Sequence, residues 1–125
     1  MAKTAFEAIT TRQSWYASEV VEQYHAVEMG DGGKYKKADG TGMFAGMCEY
    51  GCEAADRMIT VVKGTFPGIA SGAVTAGAKL TVDASKAGYV KAGTTGTIIG
   101  VALNDAADGE LVSVSMLEAP NTVTT

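Results

Sequence analysis

The sequence predicts an all-β chain: a small barrel-like body of two related β-units, preceded by an N-terminal segment unlike the body. Three observations carry this. Short apolar runs recur at regular spacing, bounded by Gly, Asp, Asn or Thr. All 16 glycines lie beyond residue 25. A twelve-residue stretch near the start of the body returns later in the chain.

The first segment, residues 1–25, holds the only Trp, the only His and no Gly. Thr4 and Glu7 fit a helix capping box. Ile9, Tyr16, Val20 and Tyr24 can share one helical face. Thr10, Thr11 and Ser14 are weak helix residues, and a short helix is marginal without tertiary support. An extended arm and a short helix both stay open. The β-rich body then covers 26–125. Its predicted strands are Ala26–Met29, 34–38, 43–48, 58–62, 79–83, 88–91, 97–103 and 111–117. In the last of these Leu111, Ser113, Ser115 and Leu117 alternate with Val112, Val114 and Met116, the two-residue period of a strand. Asp31, Gly32 and Gly33, then Asp39 and Gly40, then Asp108 and Gly109, supply hairpin-turn chemistry.

The repeat is the strongest signal. Residues 35–46 align with 89–100 at an offset of 54, with six of twelve positions identical: Tyr35, Lys37, Ala38, Thr41, Gly42 and Gly46. Ala54, Ala55 and Asp56 align with Ala106, Ala107 and Asp108 at an offset of 52. Each match runs into an apolar strand, so element order agrees as well as identity.

Composition excludes several classes. The chain has 125 residues, enough for one small domain with an arm. A net charge of −4 speaks against nucleic acid as a partner, because phosphate binding needs clustered Lys and Arg. No apolar run approaches the ~20 residues of a membrane span. Residues 1–7 carry an acid and no apolar core, so no signal peptide is expected. With no targeting signal, Cys48 and Cys52 are expected reduced.

No residue set points to catalysis, a cofactor or a metal. Cys48 and Cys52 are spaced C-x₃-C, but zinc needs two more ligands and His25 is the only histidine. They read as small buried hydrophobes. His25 has no nucleophile and acid around it in the sequence. The glycine-rich stretches lack the phosphate-loop pattern. The aspartates fall at turns without the alternating spacing of a calcium loop. Six methionines serve either core packing or an adaptable partner surface. Phe6, Trp15, Tyr16 and Tyr24 are the candidate interaction residues, since aromatics are enriched at interface cores. The same segment can instead pack back on its own body.

Gly72, Ala76, Gly77, Leu80, Val82 and Asp83, with Gly88 to Ala92, Ile99 to Leu103 and Asp108 to Val114, form a series over residues 66–118. This series resembles the capsid decoration (cement) proteins of tailed bacteriophages and is similar to the lambda-type head decoration proteins. Residues 1–60 match less closely. The resemblance implies a β-tulip body, a homotrimer, and an arm reaching toward the major capsid protein on the outer surface of the virion. It implies a protein made in the bacterial host cytoplasm that cements neighbouring capsid subunits after head expansion. The expected protein is not an enzyme. Two alternatives are another phage structural β-domain, fibre or tail-associated, and a carbohydrate- or ligand-binding β-module.

Overall fold

The structure is a computed structural model describing residues 7–123, with the backbone alone for 118–123. Nine strands follow in chain order: β1 (Ala8–Ala17), β2 (Ala26–Met29), β3 (Tyr35–Lys37), β4 (Met43–Tyr50), β5 (Arg57–Ile69), β6 (Lys79–Val82), β7 (Val90–Ala92), β8 (Gly96–Ala102) and β9 (Leu111–Val123). No helix occurs among the described residues. The chain is all-β. The eight body strands fall where the apolar runs predict them. The segment left between arm and helix is a strand from Ala8 to Ala17.

The strands form one mixed sheet in the order β1-β3-β2-β4-β5-β9-β8-β6-β7, with β1 also paired to β5. That extra pairing closes a first ring, β1-β3-β2-β4-β5. Its seam is a single parallel bridge, Ala17 to Tyr35. A second ring, β5-β7-β6-β8-β9, closes the same way, through a parallel bridge from Ala70 to Val90. The thirteen-residue β5 is shared. Its first half ends the first ring, and its second half begins the next.

The repeat is therefore real, and its register is sharper than the sequence alignment. Gly46 and Gly100 sit at matching bulges where β2 meets β4 and β6 meets β8, which confirms the offset of 54 there. Tyr35 matches Val90 rather than Tyr89, because both occupy the parallel seam. Asp56 matches Gly109 rather than Asp108: the N–H of each donates to the matching alanine, Ala17 at 2.7 Å and Ala70 at 2.8 Å. Insertions of one residue in the turns shift the alignment locally, and turn lengths are invisible to an identity count.

Matching interiors follow. Ala17, Val21, Val27, Tyr35, Cys48, Ile59 and Val61 fill the first ring. Their counterparts Ala70, Val74, Leu80, Val90, Ala102, Val112 and Val114 fill the second. Val, Ile, Leu and Ala suit so narrow a ring, because small β-barrels are packed with side chains. Ala26, Ala38, Phe44, Met47 and Val62 of the first ring join the second ring's core, with Phe66 from the shared strand β5, and weld the two into one body. Each ring holds few bulky side chains, so this junction supplies burial that neither ring has alone.

Two backbone positions show how far the repeat constrains the chain. Tyr24 has φ 73° and its counterpart Gly77 has φ 89°; the N–H of each donates to the matching strand carbonyl, Cys48 and Ala102, at 2.8 Å. Tyr24 accepts the left-handed conformation because its ring packs on Phe66, at 5.7 Å between centroids.

Candidate functional site

β1 lies antiparallel along β5, with Tyr16 opposite Met58, Trp15 opposite Ile59 and Ser14 opposite Thr60. Few of its side chains are buried, so other contacts fix it. The Ser14 and Thr60 hydroxyls lie 3.0 Å apart. Arg12 donates from Nε and Nη2 to the two oxygens of Glu49, at 2.8 and 3.1 Å. Glu49 is buried at a bulge of β4, and its hydrogen bond and charge raise the Arg12 pKa. Trp15 Nε1 donates to the Gly33 carbonyl at 2.8 Å, fastening the strand end to the turn between β2 and β3.

Half of the large exposed apolar side chains among the described residues collect here, the others being Val20, Met43, Leu103 and Leu111. Trp15 is 45% exposed, Tyr16 43%, Met58 53% and Tyr50 64%. The Trp15 and Tyr16 rings meet edge to face at 5.6 Å. Tyr50 opposes Thr60, one row from the Tyr16–Met58 pair, so these three share one sheet face. Aromatics, Met and Arg around a polar rim are the composition of an interface core. The outer edge of β1 is open as well. Ser18 N–H donates to Tyr35 O at 2.9 Å, so by strand alternation Ser14 and Arg12 also present N–H and C=O outward. Among the described residues no strand pairs with this edge before Ala17.

Of the four candidate aromatics, Trp15 and Tyr16 are brought together on this surface. Tyr24 is half-buried against Phe66 and belongs to the core. Phe6 lies outside the described residues. Tyr50 and Met58 complete the patch. Sequence reasoning missed them because only the pairing of β4, β5 and β1 places them beside Tyr16. The alternation of Met58 and Thr60 with Ile59 and Val61 was the available signal.

The remaining reactive side chains have structural partners. Cys48 is buried, and burial pushes its thiol up to about 12. Cys52 is half-buried, with Sγ donating to Glu19 O at 3.5 Å. His25 Nδ1 accepts the Glu22 N–H at 3.1 Å while its ring stands near Tyr89; burial lowers its pKa. Met47 and Met116 are core, while Met43 and Met58 are exposed.

No protein-family model and no curated protein matches the sequence. Among solved structures, the chain is similar to the N base of the head fiber protein gp8.5 of bacteriophage phi29. The TM-score is 0.69 at 15% identity, covering 90% of this chain and 98% of that one. At that identity the likeness is one of fold.

Proposed function

We propose that this chain is a structural protein of a phage head, bound to the outer surface of the capsid through the Tyr16–Met58–Tyr50 face and the open edge of β1. The observation that carries the reading is this patch, three large exposed side chains on one sheet face of a small acidic body, with the Trp15 ring edge to face against Tyr16 at its border. The fold likeness to a head fiber base agrees with it. The role is mechanical and involves no catalysis. A clamp that binds only the expanded lattice stabilises that lattice by linkage. An extended capsid segment added to β1 gains main-chain hydrogen bonds, and the patch anchors it. The major capsid protein is the partner, and copies of the chain associate as a homotrimer.

The head fiber likeness favours a second reading, in which the chain is the foot of a projection rather than a cement. Co-sedimentation with undecorated heads, expanded and unexpanded, tests both. A cement saturates expanded heads and raises the temperature at which they rupture. A fibre foot binds without changing rupture. Absence of binding to either form refutes the capsid role. Removing residues 1–20 would take β1 off β5 and open the first ring, so point variants in the patch are the cleaner perturbation.

A further inference from the structure

The two rings differ chemically at one place, the loop between their third and fourth strands. In the first ring Glu28 on β2 reaches beneath this loop. One carboxylate oxygen accepts the N–H of Asp39 at 2.9 Å and of Gly40 at 3.0 Å. The other accepts the Gly42 N–H at 2.7 Å and the Thr41 hydroxyl at 3.1 Å. Lys36 Nζ stands 3.5 Å from that second oxygen, and the Glu28 side chain is only 1% exposed. The loop is a cradle closed on a carboxylate.

The second ring keeps the cradle's cation and hydroxyls and changes the acid. Glu28 opposes Lys36 and Phe44. At the matching crossing Thr81 opposes Lys91 and Ile98. Thr81 therefore stands where Glu28 stands, and Lys91 repeats Lys36. Gly93 repeats Ala38: the N–H of each donates to the start of the neighbouring strand, Lys79 O at 3.0 Å and Ala26 O at 2.8 Å. Residues 93–96 then make the same connection as 38–42 with one residue fewer. Over Thr81 lies a cleft of about 600 Å³, lined by Thr81, Lys91, Thr94, Thr95, Thr97 and Asp39. A Cβ built on Gly42 would stand 2.3 Å from Met29 O and 2.7 Å from the Glu28 carboxylate; Gly96, with a positive φ of 82° that Gly42 does not have, would point its Cβ into space free of atoms within 4 Å, so the shorter loop takes its own path around the cleft.

We propose that this cleft binds a carboxylate group supplied from outside the chain, held by the Lys91 ammonium and by the donors of Thr94 and Thr95, as Glu28 is held in the first ring. The acids at its rim already have partners. Asp39 accepts from Lys36 at 3.3 Å and from the Thr41 hydroxyl at 2.6 Å. Asp83, close enough to Lys91 to feel its charge, accepts from the Ser71 hydroxyl at 2.6 Å and the Ser85 N–H at 2.9 Å. Lys91 thus remains the cation available to an incoming anion. An Asp or Glu side chain of a partner protein and a small free carboxylate offer the same chemistry. The site needs no capsid, so it stands apart from the head-surface reading.

The test is a titration of the ¹⁵N-labelled full chain with sodium acetate against sodium chloride at equal ionic strength, following the amides of residues 93–97. Saturable acetate-specific shifts there are expected. A blocked peptide carrying a single Glu serves as the second probe. Tighter binding than acetate marks a protein side chain as the source, and equal binding marks a small carboxylate. Thr81→Glu installs the chain's own carboxylate and should abolish the shifts. Lys91→Gln, on an exposed strand, should weaken binding about fivefold, the upper range for an exposed ion pair. Shifts that are missing, that chloride reproduces, or that persist unchanged in Lys91→Gln would overturn the proposal. So would a folded Thr81→Glu variant that responds to acetate as the wild type does.

Discussion

Glu28→Gln is the substitution that most directly tests how the first ring is held. It keeps the side-chain volume and one carbonyl oxygen. The carboxylate accepts four hydrogen bonds, from the N–H groups of Asp39, Gly40 and Gly42 and the Thr41 hydroxyl. An amide accepts at one end only, and its NH₂ must then face two donors. The less costly orientation keeps the oxygen on Asp39 and Gly40. The Thr41 hydroxyl can turn wholly to Asp39 Oδ1, which it already approaches at 2.6 Å. Gly42 N–H is left without an acceptor, and Lys36 loses its buried counter-charge. Lys36 is partly solvated and keeps Asp39 at 3.3 Å, so no uncompensated buried charge is left. The expected loss is that of the orphaned buried donor, about 1–3 kcal/mol, read as a fall in urea midpoint at unchanged slope. Lys36→Gln is the comparison. Its ammonium is partly solvated and 3.5 Å away, so it should cost about 1 kcal/mol or less. A Glu28→Gln loss below about 1 kcal/mol, or one smaller than that of Lys36→Gln, would refute the cradle as the anchor of this loop.

Four further outcomes are expected. Gly46→Ala and Gly100→Ala should both destabilise severely, since an added Cβ would stand 2.3 Å from Val62 O and 2.5 Å from Ser115 O; chemical denaturation of the pair checks whether the matched bulges are equally intolerant. His25, its pKa lowered from 6.5 by burial, is neutral in the fold and takes a proton more readily when unfolded. Stability should be full above that value and fall as pH drops below it, and His25→Gln should flatten this limb in melting curves. Asp39 is lowered from 3.8 to about 2, chiefly by its hydrogen bonds from Thr41, so its contribution is present above 3.8 and is lost as pH falls toward 2; Asp39→Asn should remove that acid limb. Tyr16→Ala should weaken head binding with little change in melting temperature, whereas Trp15→Ala should lower both, because its indole also bonds the Gly33 carbonyl; equal stability of the two would argue against the fastening role of Trp15.

The body strands were legible because apolar alternation and glycine turns are local signals. Leu111 to Leu117 announces its own period, and Gly46 with Gly100 marks the repeat. β1 was not legible for a physical reason. Thr10, Thr11, Arg12, Gln13 and Ser14 are exposed on both faces, so no alternation is imposed on them, and pairing with β5 alone decides their conformation. Ring closure was equally hidden, since each seam is one bridge between residues with no shared motif. Trp15 and Tyr16 were identified as interaction candidates by residue type, but Tyr24 looked the same in the sequence and packs on Phe66 instead. Glu28 looked like any charged strand residue. Only the folded loop above it explains why an acid can be buried there.

The repeat also explains why the two ends of the molecule differ. Trp15 faces Ile59 as Gly68 faces Val112, so the indole and the glycine are counterparts. At Gly68 the missing side chain lets Met47 of the first ring approach, within 3.5 Å of where a Cβ would stand. The first ring has no preceding ring among the described residues, and at that position it carries the largest side chain available. Trp15 both fastens the strand and remains 45% exposed. The second ring's counterparts of Ala26 and Val62 are Lys79 and Ser115, polar where the internal junction is apolar, while those of Phe44 and Met47 are Ile98 and Val101 and stay apolar. The described residues thus form a pair of rings whose two ends differ, one carrying Trp15 and Tyr16 and the other Lys79 and Ser115. The second ring exposes Leu103 and Leu111, but the larger aromatic side chains gather at the first, and this is the physical basis for proposing a partner contact on β1, β5 and β4.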